Sequence, residues 1–328
     1  MRYIINTSTD PYYNLALDEF AMRHINTDED FFLLWRNAPA VIIGKNQNTV
    51  EEINQDFIDK NGVKVARRVS GGGAVYHDLG NLNFTFIINV DDPGKVDYKK
   101  YVQPIIDALA SMGVTAEASG RNDILIDGLK ISGNAQRVSN GKLMHHGTLL
   151  FDVNIENMVQ ALNVTPDKYI SKGVKSVRSR VTNIKEHLPE GTTIEKFWEA
   201  LHYYLSDNGK DSEIVLSDTD LAKIEYEALN RFSTWDWVYG NSPEFNLSAE
   251  NRFPGGRLEV KLTVDNGNIE EVRFFGDYLG VKDVSVIEER LKNTRFKLSD
   301  VESILDTFDL KLYFGSITKE EILSLIFE

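Results

Sequence analysis

The stretch Arg67-Arg68-Val69-Ser70-Gly71-Gly72-Gly73-Ala74-Val75-Tyr76-His77-Asp78 lies between two apolar-alternating runs, residues 63–66 and 82–88. This order predicts a strand, a glycine-rich turn and a second strand. Three successive glycines remove three side chains, so a ligand can lie against bare backbone N–H groups. The second arginine offers a planar fork for an anion, and the serine and the histidine add hydrogen-bonding groups. The stretch therefore predicts a phosphate or carboxylate site, although for three glycines alone a flexible turn is the simpler interpretation.

This glycine-rich stretch differs from two common nucleotide-binding loops. No Gly-Lys-Ser or Gly-Lys-Thr follows it, which excludes a Walker loop. The glycine spacing and the following helix of a dinucleotide-binding fingerprint are also missing. An anion bound by this stretch would therefore be held by neither of these two loop types.

The composition of the 328-residue chain excludes several classes of function. A formal net charge of −14 argues against a general binder of nucleic acid or of anionic membranes. The absence of cysteine removes disulfides, thiolate metal sites and a cysteine nucleophile together. The first residues lack the apolar core of a signal peptide, and no apolar run approaches membrane-spanning length. We expect a soluble, cytoplasmic protein and, since no large apolar face is evident, a monomer.

Helical and strand patterns on both sides of the glycine-rich stretch predict an α+β fold. Asp10-Pro11 marks a helix start, with the aspartate as N-cap and the proline at the first position. Trp35 lies in an early strand, where it is a candidate for the core or for the wall of an apolar ligand pocket. The predicted elements are a helix from Pro11 to Ile25, strands at 31–36 and 40–44, and helices over 50–60 and 97–112.

A meander of three strands follows these elements. Asp127-Gly128 and Asn140-Gly141 predict the two hairpin turns that join its strands. The strands are predicted at residues 123–126, 129–138 and 142–153.

Strand alternation assigns faces to the polar residues of the meander. It places Lys130, Ser132 and Asn134 on one face of the middle strand, with Ile131 on the other. Lys130 is either an ordinary surface lysine or a functional one, and the small residues beside it favour the close approach of a ligand. The adjacent pair His145-His146 sends one ring inward and one outward, so the two cannot chelate a metal together from one face. We expect no tightly bound metal.

One segment of this acidic chain is basic. From Lys168 to Lys185 there are six basic and no acidic side chains. A charge run is usually a solvated face, but a basic patch against the overall sign suggests an acidic macromolecular partner or a phosphate-bearing ligand.

The last part of the chain predicts a separate small unit. Ser242-Pro243 marks a boundary that divides the chain into residues 1–243 and 244–328. The second unit is an α+β unit with no evident chemistry of its own. The elements predicted after the basic segment are helices over 194–205 and 218–232, a hairpin of 258–264 and 269–275, and helices over 284–292, 299–307 and 318–327.

Five motifs, in order and at matching spacing, resemble those of the lipoate–protein ligase A family. The glycine-rich stretch corresponds to that family's Arg-Arg-x-Ser-Gly-Gly-Gly-Ala-Val-[Phe/Tyr]-His-Asp motif. The resemblance spans about residues 1–240, and the tail resembles the family's accessory C-terminal domain. The other motifs are Gly-Arg-Asn-Asp at 120–123, Lys-Ile-Ser-Gly-x-Ala at 130–135, His-His-Gly-Thr-Leu-Leu at 145–150 and Lys-Gly-x-x-Ser-Val-Arg-Ser-Arg-Val-Thr-Asn at 172–183.

The resemblance implies a fold and a reaction. The fold is that of the biotin and lipoate ligases, with a large catalytic domain (1–243) of mixed and antiparallel sheets flanked by helices and a small α+β accessory domain (244–328). In the reaction, lipoate and ATP with magnesium give lipoyl-AMP and pyrophosphate. The lipoyl group then passes to a lysine of an acceptor domain, in 2-oxoacid dehydrogenase acyltransferase subunits or the glycine-cleavage H protein, without a covalent enzyme thioester.

The resemblance also implies roles for individual residues. Lys130 matches the lysine that contacts both the lipoyl carbonyl and the phosphate, so we expect it to be catalytic. The expected ATP and adenylate contacts are Arg68, Lys130, the backbone of Gly73, Ala74, Val75 and Tyr76, and Asp123 as a magnesium or ribose contact. The expected lipoate contacts are Trp35, Ser70, Gly72, Val75, His77, Lys130, Ala135 and His146. The loop expected to close over the adenylate, together with a movement of the C-terminal domain, contains Lys172, Gly173, Val174, Ser176, Arg178 and Arg180.

Three other functions fit parts of these observations. An octanoyl- or lipoyl-transferase of the same fold needs no ATP, but the related transferases use a thiolate and this chain has no cysteine. A biotin ligase shares the fold class, but its Gly-Arg-Gly-Arg-type loop is absent. A protein that binds lipoate or the adenylate without catalysis is the non-enzyme alternative, and the presence of Lys130 and Arg68 favours the enzyme. Which acceptor is used, and whether lipoate or octanoate is preferred, stays open.

Overall fold

The computed structural model describes residues 1–47, 49–90, 98–120, 122–162, 180–239, 247–265 and 267–327. None of the helices in these ranges is long and apolar enough to cross a membrane. The strands are β1 Arg2–Ile4, β2 Phe31–Trp35, β3 Ala40–Ile43, β4 Lys64–Arg67, β5 Val75–His77, β6 Asn81–Asn89, β7 Glu117–Ser119, β8 Asp123–Ile126, β9 Leu129–Ser139, β10 Lys142–Leu150, β11 Leu247–Phe253, β12 Gly256–Asp265 and β13 Asn268–Gly276. The helices are α1 Pro11–His24, α2 Thr49–Glu52, α3 Gln55–Asn61, α4 Tyr98–Ser111, α5 Ile155–Ala161, α6 Ile194–Leu205, α7 Asp218–Glu227, α8 Trp235–Val238, α9 Ser285–Leu291, α10 Leu298–Leu305, α11 Leu310–Phe314 and α12 Lys319–Phe327.

The largest layer is a seven-stranded mixed sheet with the order β1-β2-β6-β10-β9-β8-β7. Only the β1–β2 pair among these neighbours is parallel. The meander of β8, β9 and β10 confirms the prediction from the two hairpin turns. The α+β fold class is therefore confirmed, with helices on both faces of the sheet.

The central strand β6 shows how the sheet divides the core. Its residues alternate between Asn81, Asn83 and Thr85 on one face and Leu82, Phe84 and Phe86 on the other. The phenylalanines belong to a core that includes α4 and α6. On the opposite face, α1 packs over β2 in a second core. The polar residues of β6 lie on this second face, where the site is found.

The glycine-rich turn belongs to a second, three-stranded sheet with the order β4-β3-β5. β4 runs parallel to β3 and β5 runs antiparallel to it. The strand before the turn is confirmed as β4. The strand predicted after it, residues 82–88, is β6 and lies in the large sheet, because the short β5 intervenes. In the small sheet, β4 precedes the glycine-rich turn and β5 follows it. The chain then continues into β6 of the large sheet, so the two sheets meet near the turn.

A register shift in the middle strand changes one predicted arrangement. Ile124 of β8 lies opposite Ser132, and the next residue, Leu125, lies opposite Lys130. Adjacent residues of β8 point to opposite faces, so Lys130 and Ser132 also lie on opposite faces of β9. The prediction that they share a face was wrong, because an extra residue at Ile131 breaks the alternation.

Two predicted helices are interrupted in the structure. The helix predicted over 50–60 is divided into α2 and α3, and Asn54 caps the second piece by accepting from the Phe57 N–H. The helix predicted over 218–232 continues past α7 as a π-helical turn at Ala228–Phe232. The other predicted helices agree with the structure to within a few residues at each end, except that Asp97 lies outside the described residues.

The C-terminal unit is a three-stranded sheet, β11-β12-β13, with α9 to α12 packed on it. Strand β11 and helix α11 were missed by the sequence patterns. The unit contacts the rest of the chain at the glycine-rich turn, where Gly72 N–H donates to Tyr278 O at 3.3 Å. Lys45 pairs with Asp283 at 3.5 Å, and Val138 N–H donates to Val281 O at 3.0 Å. The proposed boundary at residue 243 lies outside the described residues and stays a prediction.

Candidate active site

A cavity lies between the large sheet and the glycine-rich turn. Its floor is a row of four residues on adjacent strands. Trp35 pairs with Asn83, Asn83 pairs with Thr148, and the Thr148 hydroxyl accepts from the Gly133 N–H at 3.1 Å. Three strand spacings give this row a length of about 14 Å. The cavity therefore runs across the strands and can hold an eight-carbon chain.

Most residues assigned from the family motifs meet in this cavity. Its walls include Trp35, Arg68, Gly72, Gly73, Ala74, Val75, His77, Lys130, Ala135 and His146. The other wall residues, to which no individual role was assigned from the sequence, are Leu15, Ile42, Asn83, Asn122, Gly133, Asn134, Gly147 and Thr148. The structure brings the motifs together, and the ligand contacts themselves stay predictions.

Some assigned residues lie elsewhere. The side chain of Tyr76 points into the core of the small sheet with Val41 and Ile43, as alternation along β5 requires, and its predicted backbone contact with the adenylate stays a prediction. Ser70 is buried behind the wall. Of the predicted closing loop, only Arg180 is described. Lys172, Gly173, Val174, Ser176 and Arg178 lie outside the described residues.

Two buried arginines organise the turn. Arg67 donates to carbonyls of Gly44, Lys45, Gln47, Trp237 and Val238 and to the Thr49 hydroxyl. Arg68 donates to carbonyls of Ile42, Gly71 and Gly73. No carboxylate of the described residues pairs with either guanidinium. Burial lowers the pKa of both arginines to about 10, which leaves them charged at neutral pH. Arg68 lines the cavity, so a cation without a carboxylate partner makes this wall favourable for an anion.

A hydrogen-bonded chain connects Arg68 with helix α1. Arg68 Nε donates to Ser70 Oγ at 3.2 Å, and Ser70 Oγ lies 2.5 Å from His146 Nε2. His146 Nδ1 lies 2.7 Å from Asp18 Oδ2. A serine hydrolase uses the same order of groups. Here, however, Ser70 accepts from a cation and lies behind the wall, so we interpret the chain as holding the His146 ring and the turn in place.

Lys130 stands at the more open part of the cavity, with its side chain 38% exposed. Its Nζ lies 2.7 Å from Asp123 Oδ1, so the two residues assigned to phosphate chemistry form an ion pair. The backbone of Lys130 pairs with residues 180–182. Lys130 N–H donates to Arg180 O at 2.7 Å, and Thr182 N–H donates to Lys130 O at 3.1 Å. The described end of the basic segment is therefore joined directly to the lysine.

The two adjacent histidines lie on opposite faces, as alternation predicted. His146 lines the cavity, whereas His145 is buried on the other face among Phe84, Phe86 and Tyr98. Burial, with a smaller effect of His146, lowers the pKa of His145 to about 3. Among the described residues, no group of three or more His, Asp or Glu side chains is arranged to hold a metal ion.

A pattern in the sequence could have identified some of the missed wall residues. Asn81, Asn83 and Thr85 alternate with large apolar residues, which marks a strand with one polar face inside the protein. Asn14 and Asp18 are four residues apart on α1 and are both buried, which is unusual for polar helix residues. Gly147 gave no such signal, since its role depends on Asn134 of the neighbouring strand.

The matched families cover nearly all of the chain. Residues 10–206 match the family described as Lipoyl protein ligase A/B catalytic domain, and residues 242–326 match Bacterial lipoate protein ligase C-terminus. The chain belongs to the lipoate–protein ligase family and is an enzyme of that type. The resemblance read from the five motifs is therefore confirmed.

Individual relatives resemble the chain over its full length or over its catalytic part. Lipoate-protein ligase LplJ of Bacillus subtilis is 46% identical over 331 residues, with all of both chains covered. The crystal structure of P. falciparum LipL1 in complex with lipoate has a TM-score of 0.81 and 29% identity, covering 99% of this chain and 98% of that one. A lipoate-protein ligase A crystallised with ATP has a TM-score of 0.63 and 26% identity, covering 73% of this chain and 98% of that one.

Proposed function

We propose that this enzyme activates lipoate with ATP and transfers the lipoyl group to a lysine of an acceptor domain. The acceptors are the lipoyl domains of 2-oxoacid dehydrogenase acyltransferase subunits and the glycine-cleavage H protein. The observation that carries the proposal is the elongated cavity lined by Lys130 and by Arg68, whose guanidinium pairs with no carboxylate of the described residues. Lipoate- and ATP-bound structures of similar proteins support the two small substrates.

In the first step, a lipoate carboxylate oxygen attacks the α-phosphorus of ATP, and pyrophosphate leaves with the electrons of the broken P–O bond. This step brings two anions together and builds negative charge in the transition state. Lys130 would hold both the carboxylate and the phosphate. Its positive charge would therefore stabilise the transition state, in which the two anions are closest. Removal of one such group typically costs about 10²–10³ in rate.

Magnesium is expected with ATP, and Asp123 is the carboxylate beside Lys130. Magnesium is commonly held by one or two carboxylates together with the substrate phosphates, so a single aspartate fits this role. The ion would neutralise phosphate charge. Asp123 would then be shared between Lys130 and the magnesium–phosphate group.

In the second step, the neutral amine of the acceptor lysine attacks the lipoyl carbonyl carbon. The bond from that carbon to the AMP oxygen breaks, AMP leaves with its electrons, and the nitrogen loses one proton to solvent as the amide forms. The mixed anhydride must be kept from water until the acceptor arrives. Residues 180–182, paired with Lys130, are the described end of the basic segment that we expect to cover the adenylate. The charge of that segment also suits an acidic acceptor surface.

The test is lipoate-dependent release of pyrophosphate from ATP, for wild type, Lys130→Met and the matched surface variant Lys196→Met. We expect release by wild type and by Lys196→Met, and a loss of about 10²–10³ in rate for Lys130→Met. Acylation of an acceptor from an acyl donor without ATP would instead support a transferase. Absence of release by folded wild-type protein would contradict the ligase proposal.

A further inference from the structure

His77 occupies the part of the cavity farthest across the strands from Lys130. It lies beside Trp35, with 6.2 Å between the two ring centroids, and it is 3% exposed. Trp35 and Gly133 are the two ends of the floor row, and Gly133 is on the Lys130 strand. A carboxylic acid with its carboxylate at Lys130 would therefore bring the far end of its chain to His77.

The hydrogen bonds behind His77 determine which ring nitrogen carries the proton. Asn14 Nδ2 donates to the backbone carbonyls of Ser8 and Arg36, so its amide orientation is fixed. The same Nδ2 lies 2.8 Å from Asn37, which must therefore present its Oδ1 there. Asn37 then turns its Nδ2 towards His77 Nδ1, at 3.0 Å.

Because Asn37 donates to Nδ1, a neutral His77 ring carries its hydrogen on Nε2. Burial, with smaller effects of Arg68 and His146, lowers the pKa of His77 to about 3, so the ring is neutral at neutral pH. His77 Nε2 is buried and has no hydrogen-bond partner among the described residues. The Nδ2 of Asn83, which pairs with Trp35 on the floor, is likewise buried and unpartnered there. The wall at this end of the cavity thus contains buried N–H donors that have no partner among the described residues.

We propose that His77 is a specificity-determining residue whose Nε2–H selects medium-chain acids that carry a hydrogen-bond acceptor near the far end. The ring sulfurs of lipoate are such acceptors, whereas a plain alkyl chain such as that of octanoate has none. An alkyl chain would leave this buried donor unpaired, whereas a ring sulfur would accept its hydrogen bond, so we expect tighter binding of the acid that carries the acceptor. This inference rests on the proposed function, because it takes lipoate as the occupant of the cavity.

The sharpest comparison uses lipoate and 5-cyclopentylpentanoate, in which the five-membered ring is kept and sulfur is replaced by carbon. The measurement is kcat/KM for acid-dependent pyrophosphate release by wild type, His77→Phe and the matched wall variant Ile42→Val. We expect His77→Phe to reduce the preference for lipoate about five- to tenfold, mainly through a loss with lipoate. Ile42→Val should change both acids by the same factor, since it removes only a methyl group. An unchanged preference in folded His77→Phe would overturn the proposal.

A second measurement does not depend on catalysis or on a variant. In wild-type protein labelled with ¹⁵N-histidine, the His77 ring should show a protonated Nε2 and an unprotonated Nδ1. Lipoate should move the Nε2 resonance, and 5-cyclopentylpentanoate should move it much less. An unprotonated Nε2, or equal shifts with the two acids, would contradict the proposal. Absence of pyrophosphate release with lipoate would instead contradict the proposed function, and the binding comparison would still test the role of His77.

Discussion

At the scale of single residues, His145 shows how burial alone can couple a side chain to pH. Its folded-state pKa is about 3, against about 6.5 in an unfolded chain. Between these values the unfolded state binds one more proton at this ring, so stability rises with pH and is lost as the pH falls below about 6.5. The contribution of this ring is about 1.4 kcal/mol per pH unit between pH 6 and 4.5.

Replacement His145→Phe should remove that dependence, because a phenyl ring fits among the surrounding aromatic rings and does not titrate. The measurement is the free energy of unfolding in urea at several pH values. Its slope with pH should fall by about one proton relative to wild type. The matched control is the same replacement at an exposed position, His24→Phe, against which the slope of His145→Phe is compared. An unchanged slope in His145→Phe would show that His145 is not held neutral in the folded state.

At the scale of elements, the contact between β9 and β10 requires a glycine at position 147. A Cβ built there would lie 2.2 Å from Asn134 Oδ1 and 2.7 Å from Phe84 Cζ. Gly147→Ala should therefore lower the free energy of unfolding by about 1–3 kcal/mol, since the sheet must shift to accommodate it. Adding Asn134→Ala should recover part of the loss, because it removes the nearer obstacle. A Gly147→Ala protein as stable as wild type would contradict this packing.

The sequence was most informative where local patterns decide the structure. Asp10-Pro11 began α1 as predicted, and the two Xaa-Gly turns set the meander. It was least informative where pairing partners are distant. The register shift at Ile131, which moved Lys130 away from the face of Ser132, depends on β8, and the short strand β5 is defined by its pairing with β3.

The same distinction holds for the candidate site. Lys130, His77 and His146 were identified because they stand in motifs that resemble those of the family. Asn83 and Asn37 were missed because their importance comes from neighbours on other strands and from amide orientations. The backbone pairing of Lys130 with residues 180–182 could likewise be identified only from the structure.

At the scale of the whole molecule, the C-terminal unit rests on the glycine-rich turn that also forms the cavity wall. A Cβ at Gly71 would lie 2.9 Å from Tyr278 O, and the Gly72 N–H donates to that same carbonyl. The glycines of this turn therefore form part of the cavity wall and also permit the close approach of the Tyr278 backbone. A movement of the C-terminal unit would act directly on the ligand site.

Gly71→Ala should weaken the contact between the two parts of the chain. The measurement is hydrogen exchange at Gly276 and Val138, whose N–H groups donate across the interface to Asn46 O and Val281 O. Both should exchange faster in the variant, while amides of the core strand β6 keep their protection. Lys45→Ala breaks the ion pair with Asp283 in the same interface. This second, independent variant should also increase the exchange rate of the two amides. Unchanged exchange in both variants would contradict this description of the interface.

The central claim is that one protein both activates lipoate and delivers it, with Lys130 at the reacting groups. The most direct test is the intact mass of a lipoyl domain after incubation with ATP, magnesium, lipoate and the enzyme. The account predicts a lipoyl mass increase with wild type and with Lys196→Ala, and its loss with folded Lys130→Ala. A mass increase that persists with Lys130→Ala, or that needs no ATP, would contradict the claim.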